Sequence, residues 1–190
     1  MKPLCFTRNY SERRSLADGT DVVLRLVRPG DSALLVRGFE RLSPESRYRR
    51  FLTYKKALSD DEILYFTHVD GMKHFAIGAV VERADGSEEG VGIARFVRLA
   101  DNPLAAEAAL TVVDDYQDKG LGQLLLERLF SAAAERGLRE LHFIVLPSNG
   151  RALALLHKLQ SGTKHAVVAR FEGSTVKHVI AVPSVPGAFR

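Results

Sequence analysis

Between Gly120 and Arg136 the apolar residues Leu121, Leu124, Leu125, Leu129, Ala132 and Ala133 recur at three- and four-residue spacing. That period predicts a helix with one buried stripe, and Gly137 stands where such a helix stops. Leu141 to Leu146 is a short, nearly unbroken apolar run, the mark of a buried strand. Further strands are predicted over Asp21 to Arg28, stopped by Pro29-Gly30, over Lys73 to Glu82, Gly90 to Leu99 and Ala106 to Val113, and in the tail over about His165 to Phe171 and Thr175 to Val182. Ala84-Asp85-Gly86-Ser87 supplies turn residues, so the strands on either side of it form an antiparallel hairpin.

Helix starts are marked by capping residues. Asp31 is placed to cap a helix running to about Leu42, and Ser43 followed by Pro44 restarts a short one. Ser59 and Glu62 have capping-box spacing ahead of a helix through about His68, and Ser148 or Asn149 opens another to about Gln160. Residues 1–20 are polar and arginine-rich and end in the turn Asp18-Gly19-Thr20; they read as a weakly ordered arm ahead of a domain over residues 21–186. The order is strand, helices, three strands, helix, strand, helix, two strands. At 190 residues this is one α/β domain with a mixed, mostly antiparallel seven-stranded sheet and helices on both faces.

An apolar fraction of 46% with 26% charge is that of a soluble globular protein. No apolar run approaches the ~20 residues that cross a bilayer, and the start has no apolar signal-peptide centre, so a cytoplasmic location and no membrane partner are expected. Cys5 is the single cysteine and can form neither an internal disulfide nor a metal site. The net charge of +4 suits a polyanionic partner, either nucleic acid or a phosphorylated cofactor. Nucleic acid is disfavoured, because neither a basic recognition helix nor an aromatic-basic sheet motif is present.

The stretch Ala106 to Gly122 carries the chemistry. A strand runs through a glycine-containing turn into the first turn of an amphipathic helix, leaving unpaired N–H groups at a positive dipole end. Without Cβ atoms at Gly120 and Gly122, a pyrophosphate can lie directly on these amides, and Lys119 adds a positive charge beside it. Two common phosphate loops are excluded. The P-loop needs Gly-Lys-Ser/Thr after its four-residue spacer, and the dinucleotide fingerprint needs a third glycine where Leu125 stands.

Gln117, Gly120 and Gly122 match the acyl-CoA signature of the GNAT superfamily: glutamine or arginine, two residues, glycine, any residue, glycine or alanine. The start Ser148-Asn149-Gly150-Arg151-Ala152 is similar to that of the fourth GNAT helix, and the element order matches from about Asp21 to Val182. The segment Leu26 to Phe51 resembles the bacterial protein-lysine acetyltransferases of this superfamily. The resemblance implies a GNAT domain that binds acetyl-CoA as cosubstrate in a cleft where the fourth and fifth strands splay apart. It implies that the amides of Gln117, Asp118, Lys119, Gly120, Leu121, Gly122 and Gln123 hold the pyrophosphate. The main chain of Val112 and Val113 pairs with the pantetheine amides, and Asn149 reaches the pantetheine arm from the far side. The reaction implied is direct acyl transfer to a primary amine, with a protein lysine as first acceptor, small amines as the alternative and no metal; a homodimer is compatible with the family.

The candidate base is Glu107, an acid among Ala105, Ala106, Ala108 and Ala109, since apolar surroundings favour the protonated form of a carboxylate. The competing placement, on the solvated face of the sheet, follows from strand alternation. Where many GNAT enzymes carry a tyrosine seven positions after the asparagine, to protonate the leaving thiolate, this chain has Leu156. Tyr116 and His157 are the substitutes near at hand, each with a bland role as packing or surface residue. That departure keeps a third reading open, a catalytically silent acyl-CoA-binding module. Arg47, Arg49 and Arg50 beside Tyr48 fall in the region that walls the acceptor site in GNAT folds, and equally make a solvated basic helix face.

Overall fold

The computed structural model describes residues 4–161 and 168–183. Eight strands, β1 (Ser11–Ser15), β2 (Asp21–Leu26), β3 (His74–Glu82), β4 (Glu88–Arg98), β5 (Ala105–Val112), β6 (Glu140–Val145), β7 (Val168–Glu172) and β8 (Thr175–Ala181), form one sheet. Its order is β1-β2-β3-β4-β5-β6-β8-β7, and β5 with β6 is the parallel pair in an otherwise antiparallel sheet. The expected start of the seventh strand at residues 165–167 and the end of the expected domain at residues 184–186 lie outside the described residues.

Among the described residues five α-helices cover the sheet: α1 (Ser32–Glu40), α2 (Pro44–Phe51), α3 (Asp60–Thr67), α4 (Leu121–Glu135) and α5 (Gly150–Ser161). Strand alternation assigns the faces. Ala94 and Phe96 of β4, with Ala106 and Ala108 of β5, enter the core built on Leu121, Leu125, Leu129 and Ala132 of α4. Ile93, Arg95 and Thr111 look the other way, toward α1, α2 and α3. The predicted caps at Ser43 and Ser59 hold: Ser43 Oγ accepts from the Ser46 N–H at 3.1 Å, and Ser59 and Glu62 cap one another reciprocally. Asp31 does not cap with its side chain. Its carboxylate instead receives both the Arg28 N–H and the buried Arg25 guanidinium, at 2.8 Å each.

The N-terminal segment corrects the expected loose arm. Residues 11–15 form β1, the eighth strand, antiparallel to β2 at the sheet edge. Phe6 and Leu16 are buried in the core, and the Arg136 guanidinium donates to the Phe6 carbonyl at 2.8 Å. Ser-Glu-Arg-Arg-Ser has no apolar alternation because this edge is fixed by ion pairs. Glu12 is gripped by Arg128 at 2.7 and 2.8 Å, and Arg13 pairs with Glu82 across the sheet at 2.7 Å.

The Arg128 hydrogen bonds hold the Glu12 carboxyl at about 2, below its ordinary 4.5, against the opposing effect of burial. A depressed carboxyl stabilises the fold above its unfolded value, and that contribution is lost as pH falls through the folded value. Thermal melts of Glu12→Gln are therefore expected to show a lower Tm than wild type at neutral pH, with the difference shrinking as pH falls from about 4.5 to about 2. A difference that stays constant over that range contradicts the pairing.

Among the described residues, no helix is long and apolar enough to cross a membrane.

Candidate active site

The site is made by a failure of pairing. Strands β5 and β6 are in register only at Ala105–Glu140, Ala106–Leu141 and Glu107–His142. Beyond Glu107, β5 continues to Val112 bonded to β4 alone, so the edge facing β6 is open. A cleft of about 310 Å³ occupies the opening. Its walls are Leu110, Thr111 and Val112 of β5, Gly120, Gly122 and Gln123 at the start of α4, Asn149, Ala152 and Leu155 of the α5 side, and Ser46 and Arg50 of α2. Arg49, Arg50, Arg151 and Lys158 line it against one acid, Asp118, so its field favours an anion.

Asp118 and Gly120 turn the chain into α4 with φ of +59° and +87°, left-handed conformations that steepen the turn. The N–H groups over residues 118–123 donate to no acceptor among the described residues; the helix ladder begins with Leu124 N–H on the Gly120 carbonyl at 3.1 Å. This matches the expected row of free amides but for its first member, because the Gln117 N–H closes on the Asp114 carbonyl at 3.1 Å. Gly122 is the point of closest approach: a Cβ there would lie 3.2 Å from Leu155 and 3.4 Å from Leu110, both cleft residues. Leu121 is fully buried beneath the turn, its side chain packed in the core.

The Gln117 side chain braces the mouth. Its Nε2 donates to the Val112 carbonyl at 3.1 Å and its Oε1 accepts from Arg151 at 2.6 Å, while Arg151 also pairs with Asp118 at 3.1 Å. Asn149 lines the cleft and resolves the capping alternative, its Oδ1 accepting from the Ala152 N–H at 3.2 Å. Two expected contacts differ, the side-chain charge of Lys119, whose N–H stays in the free row, and the main chain of Val113. Lys119 turns away from the cleft to Asp18 at 2.8 Å and to the Tyr116 ring at 5.2 Å. Val113 is buried with its N–H on the Val91 carbonyl and its own carbonyl accepting from Tyr116, so its main chain is engaged inside the sheet.

Glu107 is exposed, with its side chain on the face of α1 to α3. The apolar shell expected from its alanine neighbours is absent, because Ala106 and Ala108 alternate to the opposite face and join the core there. The groups that do act on it are cationic: Arg50 and Arg95 both feel its charge. Leu156 is buried. Tyr116 is a core residue beneath Arg41, and neither it nor His157 lines the cleft.

Of the arginine cluster, Arg47 ties α2 to the segments on either side by donating to the carbonyls of Glu40, Leu42 and Lys56, and Tyr48 packs on Tyr54. Arg49 and Arg50 reach the cleft. Sequence reasoning missed Ser46, Arg151 and Lys158. Ser46 and Lys158 carry no local signal, and Arg151 was legible only as part of a helix start. The Ser46 hydroxyl donates to Asp114 at 2.7 Å, tying α2 to the turn after β5.

Gly120 offers a local test. Nothing lies within 4 Å of a Cβ built there, so Gly120→Val adds only the penalty of a left-handed φ. We expect destabilisation of ~1–2 kcal/mol, a fall in Tm of about 2–4 °C for each, and weaker acetyl-CoA binding. Gly150→Ala, in equally open space at an ordinary φ at the start of α5, is the control and is expected to melt at or slightly above wild type.

A sheet opened between two parallel strands, with helix-start amides and cationic walls at the opening, makes a cleft whose field suits an extended anion. The sequence matches the Acetyltransferase (GNAT) family over residues 37–160, and the chain belongs to that family. It is 32% identical over 135 residues to an acetyltransferase of Pseudomonas aeruginosa, covering 71% of this chain and 72% of that one. It is 33% identical over 162 residues to acetyltransferase Pat of Mycolicibacterium smegmatis, covering 85% of this chain and 46% of Pat, so it spans about half of that relative's length. The crystal structure of the GNAT domain of S. lividans PAT superposes with a TM-score of 0.78 at 27% identity, over 90% of this chain and 96% of that domain. The family draws its acetyl group from acetyl-CoA.

Proposed function

We propose that this chain transfers an acetyl group from acetyl-CoA to a primary amine, with a protein lysine as the first acceptor to test. The observation that carries the reading is the run of unaccepted N–H groups over residues 118–123, at the open end of a cationic cleft. With the pyrophosphate on those amides, the pantetheine arm runs down the unpaired edge of β5 beside Leu110, Thr111 and Val112, and Asn149 faces it from α5. The thioester then lies toward the closed end of the splay, where Glu107 stands.

Glu107 acts as the base in this pose, taking the proton of the attacking amine directly or through water. The tetrahedral oxyanion meets a main-chain N–H of the open edge near Val112. Collapse breaks the carbon–sulfur bond, and the thiolate, a fair leaving group, takes its proton from solvent, since Leu156 has none to give. Arg49, Arg151 and Lys158 hold the CoA phosphates by charge.

A protein lysine is placed first because the segment Leu26 to Phe51 resembles the bacterial protein-lysine acetyltransferases. Calorimetry with acetyl-CoA, followed by CoA-thiol release over a panel of lysine peptides, polyamines, amino acids and aminoglycosides, separates the readings. Lysine-specific turnover, mapped by mass spectrometry, supports the first. Faster turnover of a small amine replaces it with the second. Saturable binding with no turnover makes the chain a binding module, and no heat with any CoA species removes the reading altogether.

A further inference from the structure

We propose that Arg50 and Arg95 form a carboxylate subsite beside the reacting thioester, so that the preferred substrate carries a carboxylate near the transferred carbonyl or near the attacking amine. The inference rests on the acyl-CoA pose given above and adds the chemistry of what meets it.

A second cavity of about 100 Å³ lies between the sheet and α1 to α3, walled by Leu34, Phe39, Phe51, Phe66 and Ile93. Arg50 and Thr111 line both this cavity and the CoA cleft, so the two spaces meet beside the thioester. Arg95 projects into the inner cavity from β4 and is 5% exposed. Its guanidinium lies over the rings of Tyr65 and Phe66 at 4.8 and 4.5 Å and contacts the His74 ring. Arg50 rests on the Phe51 ring at 5.0 Å.

Among the described residues, neither arginine forms an ion pair with a carboxylate. The acid that lines the cavity, Asp31, is engaged elsewhere, taken by Arg25 at 2.8 Å. Glu107 is the one carboxylate that acts on both Arg50 and Arg95. When it accepts the amine proton its charge is gone, and two guanidinium groups face an apolar cavity without a counterion.

Two other effects follow from this crowding. Burial, then the Arg50 charge, pull Arg95 down to about 10, and burial alone lowers Arg50. Burial and Arg95 push His74 down to about 4, so the imidazole is neutral at pH 7 and adds no positive charge. A desolvated cation without a bonded anion is costly, and although the Arg95 guanidinium already meets His74, its donors outnumber that contact and none is met by a carboxylate. A terminal carboxylate on a short acyl chain reaches this pair from the cleft. The carboxylate of an amino acid or acidic side chain reaches it from the acceptor side.

The test compares pairs that differ only in that charge. In the first arm, calorimetry sets succinyl-CoA against butyryl-CoA, with acetyl-CoA as reference. In the second, thiol release with acetyl-CoA sets amino acids and acid-flanked lysine peptides against the corresponding carboxamides. A tenfold or greater preference for the carboxylate, as Kd in the first arm or KM in the second, supports the subsite and identifies its source. Arg50→Met and Arg95→Met are expected to erase the ratio, and Arg95→Lys to reduce it, since lysine keeps the charge and loses the fork.

The wild-type comparison decides the matter even where a buried methionine variant fails to fold. If acetyl-CoA binds and neither arm shows a preference, the subsite is overturned and the acetyltransferase reading stands. If no CoA species binds, both fall together.

Discussion

Gly122→Leu is expected to lose at least 100-fold in acetyl-CoA affinity by calorimetry while folding normally. At wild type, a Cβ at this position already sits 3.2 Å from Leu155 and 3.4 Å from Leu110. Both neighbours are the mobile ends of leucines that line the cleft, so they yield by moving into the space the ligand needs. The three further carbons of the new leucine follow, standing between the diphosphate and the amides of residues 120–123. The fold has no reason to suffer, because leucine is the better helix former by ~1 kcal/mol at a position in the first turn of α4. A factor of 100 is about 2.7 kcal/mol, the scale of losing two charge-assisted hydrogen bonds. Unchanged affinity in a variant with a normal Tm would remove the diphosphate from this turn.

Glu107→Gln is the second large effect, and it falls on a different step. We expect kcat/KM to drop by about 10²–10⁴, the range a general base contributes, with the acetyl-CoA Kd within twofold of wild type. Affinity is spared because Glu107 lies on the closed side of the splay, away from the cleft lining. The substitution keeps shape and removes the charge, so Arg50 and Arg95 lose the carboxylate that acts on them both. Turnover that keeps the wild-type rate and pH profile would exclude Glu107 as the base.

Most of the fold was legible because its elements signal locally. The caps at Ser43 and Ser59, the 3.6-residue stripe of α4 and the turn residues of the β3–β4 hairpin are short-range features, and the structure realises each of them. β1 was illegible because it signals nothing of the kind. An edge strand with two polar faces owes its place to Arg128 and Glu82, 116 and 69 residues away from Glu12 and Arg13. Lys119 misled for the same reason in reverse: its sequence position suggests a phosphate contact, and Asp18 takes it away.

The turn chemistry is written in the sequence alone. Gly120 and Gly122 dictate where a helix begins with bare amides, and Leu156 removes the tyrosine usual at that position, whatever the rest of the chain does. Which side chains surround Glu107 depends instead on contacts distant in sequence. Alternation sends Ala106 and Ala108 to one face and Glu107 to the other, and the packing of α2 and β4 brings Arg50 and Arg95 to meet it. The physical reason is range: backbone conformation and hydrogen-bond caps are set within a few residues, whereas the field at a carboxylate is summed over whatever the fold carries near it.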